Sequence, residues 1–369
     1  SLARARDLYE GTPLHYCTDN TAVAGIYLKS KGKEPGTYER EVKRWMENRK
    51  VMAELLIAHG ADVNAKDYRS RTPLYWTACS NNLEMAKVLL ENRADVNAVY
   101  NGKMTALHLV AMTGKTAFAR YLIEKGADVN AMDKSSTPLI DAVEEHEDMV
   151  ELLLNNKADV HMRSADGFTA IHLAGNKNIA QRLFSRGADL EARGYHQRTP
   201  LHQAAMRNRN DIVEWLCAKK VNVNAVDSDG ETPLTISISQ AGNNEKARKT
   251  SLETIRILLK YGADVDYRDR QGQTLLHNAV FLSWEGLADT LLRNGADIDA
   301  KNKFGNTPLH SAVSWNNQRM VELLVSRGAD VNARNSENRT PLYINEARHS
   351  SREDAQNIAR ILKDRGGTK

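Results

Sequence analysis

Histidine is the residue type in this sequence that most invites a catalytic or metal-binding interpretation. Acid–base or nucleophilic chemistry would need a histidine beside a serine, cysteine or carboxylate partner, or a His-Glu-x-x-His pair for a metal. No such arrangement stands out, and the three cysteines show no C-x-x-C spacing. We therefore predict no enzyme, no catalytic residue, no metal site and no cofactor. Six of the eleven histidines share one local context: His15, His108, His172, His202, His277 and His310.

Two short stretches carry other residue types that can bind ligands. Gly114-Lys115-Thr116 resembles the end of a phosphate-binding loop, but it lacks the upstream glycine and lies between predicted helices instead of after a strand. The acidic run from Glu144 to Glu151 contains His146. Metal ligation is conceivable there, but acidic residues are favoured at the start of a helix, so a solvated helix turn is the simpler interpretation.

The elements that carry these residues are copies of one unit, best seen from Thr307 to Ala333. Thr307 is a plausible N-cap, Pro308 suits the first helical position, and Gly328 can end a second helix in the left-handed conformation. The threonine recurs at Thr12, Thr72, Thr105, Thr137, Thr169, Thr199, Thr232, Thr274, Thr307 and Thr340.

A period near 33 residues with a T-P-L-H-x-A core resembles the ankyrin repeat, and the resemblance covers nearly the whole chain. It implies an all-α solenoid of stacked helix–turn–helix pairs linked by β-hairpin fingers, here a single domain over residues 1–369. It also implies that the recurrent histidine bonds within and between repeats. The Asp and Asn residues of Ala-Asp-Val-Asn-Ala are expected to form turns.

Spacing locates the irregular copies. The helix-ending position to the next threonine is 12 residues in every link except Gly126 to Thr137, which is 11. Insertions fall inside the first repeat (residues 25–50) and the seventh (residues 239–251). We expect the first to extend a basic helix, which either caps the stack or forms a docking surface, and the second to be a solvent loop with a lengthened helix end.

Composition restricts the possible partners. The net charge of the 369 residues is +4, too small for a strong overall field, and no apolar run is long enough to span a membrane. Free cysteines are compatible with a reducing compartment, so we predict a cytoplasmic monomer, or a secreted bacterial effector that acts in host cytosol.

The deviations between copies predict the binding surface. Ankyrin proteins bind partners with the finger tips and the first helices, which line a concave groove, and aromatic and arginine side chains are common interface anchors. The predicted partner-binding residues are Tyr68, Arg69, Arg71, Trp76, Tyr100, Met112, Tyr195, Arg198, Met206, Arg207, Arg270, Trp284, Phe304 and Trp315. Phe281 lies on the same face, although Phe281 and Trp284 could instead pack between repeats.

Three functions remain open from the sequence. The leading one is a non-catalytic scaffold that binds protein partners. Because the fingers are mildly basic except at Asp227, Asp229 and Glu231, an acidic segment with one basic contact is the expected ligand. The chain starts within a linker, which suggests the alternative of a targeting or regulatory arm of a larger enzyme or effector. Nucleotide binding at Lys115, or nucleic-acid binding, is the weaker alternative.

Overall fold

The computed structural model describes residues 6, 10–18, 48–242, 244–349 and 353–369. Within these ranges the chain forms consecutive pairs of short helices, and its β-structure is limited to isolated bridges, so the predicted all-α repeat architecture is confirmed. The chain divides into two compact units, Ser1–Tyr195 and His196–Lys369.

The first helix of each repeat begins directly after the recurrent threonine. In the ninth repeat the Thr307 side chain accepts a hydrogen bond from the His310 N–H, and Pro308 opens the helix. Because an N-cap satisfies a backbone donor and proline needs none, these residues begin the helix as predicted. The first helices are Pro13–Thr18, Pro73–Cys79, Ala106–Met112, Pro138–Ala142, Ala170–Leu173 (a 3₁₀ turn), Pro200–Met206, Pro233–Gln240, Leu275–Phe281, Pro308–Ser314 and Pro341–His349.

The second helix of each repeat is amphipathic. In Gln318–Ser326 the side chains of Met320, Val321 and Leu324 are fully buried, while Glu322 faces solvent. Helices this short are unstable alone, so burial between repeats stabilises them. The second helices are residues 48–58, Leu83–Glu91, Thr116–Glu124, Glu147–Asn155, Lys177–Ser185, Asn210–Ala218, Glu245–Lys260, Glu285–Arg293, Gln318–Ser326 and Glu353–Asp364.

The fingers between repeats are mostly tight turns, with little of the hydrogen-bonded β-ladder of a hairpin. Most close with one backbone hydrogen bond across four residues, such as Asp227 N–H to the Glu231 carbonyl at 2.9 Å. The carboxylate of Asp227 also accepts the N–H groups of Asp229 and Glu231, each at 2.9 Å. The predicted β-hairpin character is therefore reduced, among the described residues, to isolated antiparallel bridges such as Tyr100 with Met104.

Asparagine residues of the Ala-Asp-Val-Asn-Ala segments join neighbouring repeats. Asn97 Oδ1 accepts the N–H of Asp128 at 2.8 Å, and its Nδ2 donates to the Gly126 carbonyl at 3.1 Å. Within the segment, Asp95 Oδ1 accepts the N–H of Asn97 at 2.9 Å, which is the predicted turn. The sequence predicted the turns, but the bonds between repeats appear only in the tertiary structure.

The repeats of irregular length differ from the regular ones in their helix lengths and in how closely their backbones approach each other. In the seventh repeat most of the inserted segment is helical, because the second helix starts at Glu245 and runs for 16 residues. A solvent loop with a lengthened helix end was predicted there: the lengthened helix is present, and Ala241 and Gly242 form a turn before it. In the short fifth repeat Gly175 lies against the backbone of Glu144, so closely that a Cβ atom would overlap its carbonyl oxygen. Most of the predicted helix extension in residues 25–50 lies outside the described residues.

Three of the second helices in the described part of the chain end in the left-handed region without glycine. Arg93 has φ 66°, Lys157 φ 66° and Lys220 φ 62°, where other repeats place glycine. The αL strain of a side chain exceeds the flexibility cost of glycine, so we expect Lys220→Gly to stabilise the protein by about 0.5–1 kcal/mol, raising Tm by about 1–3 °C. Thermal unfolding followed by circular dichroism measures the shift.

The reverse substitution is the matched control. Gly295 has φ 89° and open space around the position of a Cβ atom, so Gly295→Ala tests backbone conformation alone and should lower Tm. If Lys157→Gly and Lys220→Gly both leave Tm unchanged or lower it, αL strain is not what these helix ends have in common.

Candidate protein-interaction surface

We call the surface formed by the finger tips and the ends of the first helices the finger face. The structure leaves most of the predicted partner-binding residues accessible there, but in different degrees. Arg71, Trp76, Tyr100, Arg198 and Met206 are half-buried. The exposed members are Tyr68, Arg69, Met112, Tyr195, Arg207, Arg270, Phe304 and Trp315.

Trp284 is a correction to the predicted surface. Its side chain is only 6% exposed, and the Arg248 guanidinium lies 5.5 Å from its ring centroid. Arg248 also donates to the carbonyl of Leu282 at 2.7 Å. The insertion in the seventh repeat supplies Arg248, so Trp284 packs beneath a helix whose length the sequence left undefined. Phe281, with the same two interpretations open, is instead 66% exposed.

In the first unit, an arginine is sandwiched between two rings. Arg71 Cζ lies 4.1 Å from the Trp76 ring and 5.6 Å from the Tyr68 ring, and its Nε donates to Asp67 Oδ2 at 2.7 Å. Trp76 Nε1 reaches the same carboxylate at 3.3 Å. Burial acts to raise the pKa of Asp67, but the N–H donors of Arg71 and Arg69 and the Arg71 guanidinium outweigh it, so the pKa lies below its ordinary value.

This arrangement gives Trp76 a structural part. Its indole N–H and its stack with Arg71 stabilise the finger at residues 67–71. Tyr68 and Arg69 remain exposed on the same finger. Arg69 Cζ lies 5.1 Å from the Tyr68 ring, a distance at which cation–π attraction orders both side chains. Tyr68 is therefore a better probe of the finger face in this unit than Trp76.

In the second unit, carboxylates collect around one arginine. Arg198 Nε binds the buried Asp227 at 3.0 Å, and its Nη2 lies 3.6 Å from Glu231 and 4.0 Å from Asp229. His196 Nδ1 lies 2.9 Å from Asp229. Burial raises the pKa of Glu231, and the charge of Asp227 raises it further, because one guanidinium is shared among three carboxylates.

A groove with a volume of about 500 Å³ begins at these carboxylates. Asp229 and Glu231 line one wall, Asp269 and Arg270 of the next finger line another, and Phe281 lies on the helical side. The Tyr267 hydroxyl donates to the Gly230 carbonyl and ties the two fingers together. The groove therefore combines negative charge at one end with an exposed aromatic ring at the other.

The aromatic side continues beyond the groove. The Phe281 and Trp315 rings meet edge to face with centroids 5.6 Å apart, yet Trp315 is 63% exposed. Phe304, on the finger preceding Trp315, is exposed as well. Exposed aromatic groups that contact one another are a feature of binding surfaces. We call Phe281 and Trp315 the aromatic pair.

Five of the six recurrent histidines bond within and between repeats, as the resemblance implied, whereas His108 has no outer partner of normal geometry among the described residues. His277 Nδ1 accepts the N–H of Thr274 at 3.2 Å, which places its proton on Nε2, and Nε2 donates to the Asn306 carbonyl of the next finger at 3.0 Å. Burial lowers the pKa of His277, which keeps the ring neutral. Such a ring is bonded at both nitrogens and has no free atom for catalysis.

The two candidate ligand stretches are likewise part of the framework. Lys115 is the N-cap residue of Thr116–Glu124, and Gly114 has φ 66° in the preceding turn. A Cβ on Gly114 would lie 2.6 Å from His146 Nδ1, so glycine is required there. His146 Nε2 hydrogen-bonds to the Met112 carbonyl at 3.0 Å, and Glu147 and Asp148 follow it in the first turn of a helix.

Two negative observations apply to the described part of the chain. Within it, no group of three or more His, Cys, Asp or Glu side chains is placed to hold a metal ion. None of the helices described there is both long enough and apolar enough to cross a membrane.

Family models for ankyrin repeats match this architecture along most of the sequence. The model for ankyrin repeats in three copies matches residues 45–100, 94–164, 134–194, 168–249 and 281–367, and the model for many copies matches residues 245–283. The chain belongs to the ankyrin repeat family, as its T-P-L-H copies predicted.

Curated relatives share the repeats within longer proteins. Ankyrin repeat and SOCS box protein 16 of Homo sapiens is 33% identical over 148 residues, 39% of this chain and 32% of that protein. The B-cell lymphoma 3 protein homolog of Mus musculus is 33% identical over 140 residues, 36% of this chain and 29% of that protein. A putative palmitoyltransferase of Danio rerio is 31% identical over 150 residues, 39% and 22% of the two chains. The chain thus spans less than a third of each of these relatives.

Proposed function

We propose that this protein is a non-catalytic scaffold in the cytoplasm that binds partner proteins through its finger face. The observation that carries the proposal is the set of exposed aromatic side chains on that face, above all the aromatic pair, with Phe281 66% and Trp315 63% exposed. Aromatic side chains contribute most of the energy of many interfaces. The ankyrin fold, which generally serves as a protein-interaction module, supports the same function.

The bonds made by the finger arginines bear on the charge of the partner. Arg71 is paired with Asp67, Arg198 with Asp227, and Arg339 with Glu337 at 2.5 Å. These side chains offer an acidic partner less positive charge than their number implies, because a carboxylate already lies beside each of them. The same pairing weakens the case for nucleic-acid binding, because a single-stranded nucleic acid would need a continuous basic groove.

We expect Tyr68→Ala combined with Trp315→Ala to weaken the capture of partner proteins from a native lysate by about tenfold or more. One substitution lies in each unit, and both side chains are exposed, so folding should be preserved. Quantitative mass spectrometry of the captured proteins measures the loss, and circular dichroism melts check the fold.

Phe184→Ala is the matched control. Phe184 is 41% exposed, but it lies on the second helix Lys177–Ser185, away from the finger face. Its replacement should leave capture unchanged. Equal capture by the double variant and the parent chain would exclude the finger face as the binding surface.

A further inference from the structure

We propose that the groove of the second unit binds an extended protein segment carrying a lysine or arginine beside a large apolar side chain. The basic group would lie among Asp229, Glu231 and Asp269, and the apolar group against the aromatic pair. This inference rests on the proposed scaffold function and names the chemistry of one of its partners. It is opposite in charge to the acidic segment expected from the overall finger composition.

Charge within the groove carries the first half of the inference. Three carboxylates, Asp229, Glu231 and Asp269, line it together with one arginine, Arg270. Arg198 lies behind them, and its shortest ion pair is with Asp227, at 3.0 Å compared with 3.6 Å to Glu231. The groove therefore has an excess of negative charge on a chain whose net charge is +4. A cation is the ligand that offsets this excess.

Hydrogen bonds within the two finger turns order the segments that carry these carboxylates. The turn of the finger fixes the backbone at Asp229 and Glu231, because the N–H groups of both residues donate to Asp227 Oδ1 at 2.9 Å. Asp269 is the counterpart of Asp227 in the next finger: its own Oδ1 accepts the N–H groups of Gln271 and Gln273 at 2.8 and 2.9 Å, which holds its carboxylate in place. Less conformational entropy is lost on binding when the backbone that carries the receiving groups is already fixed.

The helical side of the groove carries the second half. Phe281 lines the same groove as Glu231, and its ring meets Trp315 edge to face. A lone lysine would satisfy the carboxylates but would leave these rings in water. An apolar side chain that packs against these rings is removed from water together with part of both rings, which favours binding. A segment with both groups matches the groove better than a basic or an apolar segment alone.

A random peptide library displayed on phage, selected on the immobilised full chain, tests the inference. Clones are counter-selected against the full chain carrying Glu231→Gln and Phe281→Ala. We expect the clones that survive to be enriched in Lys or Arg adjacent to Leu, Ile, Met, Phe or Trp. The strongest clone is then made as a fluorescein-labelled peptide, and its affinity is measured by fluorescence polarisation.

Single substitutions separate the two halves. We expect Glu231→Gln, Asp269→Asn and Phe281→Ala each to weaken binding of that peptide by about tenfold, and higher salt to weaken it further. Glu322→Gln and Phe184→Ala are the controls, because both side chains are exposed on second helices. They should leave the affinity unchanged, and circular dichroism melts confirm that each variant is folded.

The outcomes that overturn the inference are distinct from those that overturn the scaffold function. Enrichment of acidic or purely apolar peptides, or equal affinity of the parent chain and the Glu231→Gln variant, contradicts the basic–apolar ligand. If Tyr68→Ala with Trp315→Ala still weakens capture of cellular proteins in that case, the scaffold function stands and only the assigned chemistry is wrong.

Discussion

Replacement of His310 by alanine is expected to lower the free energy of unfolding by about 3 kcal/mol. The ring is fully buried, Nδ1 accepts the N–H of Thr307 at 3.2 Å, and Nε2 donates to the Arg339 carbonyl at 3.0 Å. Alanine removes the bond between repeats, the reciprocal half of the helix cap, and a buried ring. Urea unfolding followed by circular dichroism measures the change.

His108 is the matched control, because its outer bond is missing. The ring is fully buried and Nδ1 accepts the N–H of Thr105 as usual, but among the residues that the structure describes Nε2 has no hydrogen-bond partner of normal geometry. We attribute this to the one finger that is a residue shorter, which closes from Asp133 N–H to Ser136 O across three residues. His108→Ala should therefore cost about 1 kcal/mol less than His310→Ala. Equal costs would contradict a role for the bond between repeats.

The cost of His310→Ala should also depend on pH. Burial lowers the pKa of His310, opposed in part by the hydrogen bond to Arg339. Below about pH 6.5 the unfolded histidine binds a proton that the folded one resists, so the parent chain loses stability there as pH falls. The alanine variant lacks this proton uptake. The difference between the two should be largest above about pH 7 and should shrink in acid.

We expect Asp141→Asn to stabilise the protein at about pH 8 by an amount on the order of 1–3 kcal/mol. The Ser136 hydroxyl donates to Asp141 Oδ1 at 2.5 Å, but Oδ2 is buried without a partner in the described structure. Burial raises the pKa of Asp141 to about 6, and the charge of Asp133 adds to the rise. Ionisation of this carboxylate at neutral pH therefore opposes folding.

The sign of the pH dependence is opposite to that of the histidines. The folded pKa of Asp141 lies above its unfolded value, so the folded state binds more protons between about pH 4 and about pH 6. Stability of the parent chain falls as pH rises through this window, whereas asparagine does not titrate. The advantage of Asp141→Asn should grow from near zero at about pH 4 to its full value above about pH 7.

Asp166→Asn is the control for this pair of measurements. Asp166 is exposed near a finger tip, so its replacement removes one negative charge without changing a buried group. We expect it to leave the urea midpoint nearly unchanged at every pH. If Asp141→Asn and the parent chain show parallel pH profiles, the buried carboxylate is not the origin of the effect.

Much of the fold is predictable from the sequence because residues close together in the chain begin and end each helix, and the same pattern recurs in successive repeats. Thr307 and Pro308 begin the first helix of the ninth repeat, and Gly328, with φ 93°, ends the second. The short finger before Thr137 was visible as a missing residue, but its effect on His108 was not. The effect depends on the position of the acceptor carbonyl in the neighbouring repeat, and the spacing of residues in the sequence does not give that position.

The candidate surface was only partly predictable for the same reason. Tyr68, Phe304 and Trp315 were predicted on the finger face and are exposed, because a large side chain in a turn or at a helix end has little to pack against. Trp284 is a tryptophan near the end of a first helix, as Trp315 is, but it is covered by the helix that carries Arg248. The difference between the two tryptophans arises from the length of that helix, not from their own neighbours in sequence.

By itself the sequence determined the repeat, its period and the turns that link the copies, since each depends on residues within a few positions of one another. The tertiary structure decided which side chains are free to bind. Trp76 became part of a stack with Arg71 and Asp67, and Trp284 became buried. Glu231 joined Asp229 and Asp269 in one groove because two fingers lie side by side. The burial of Trp284 and the charge around Glu231 depend on neighbours about one repeat away in the sequence, so only the packed repeats reveal them.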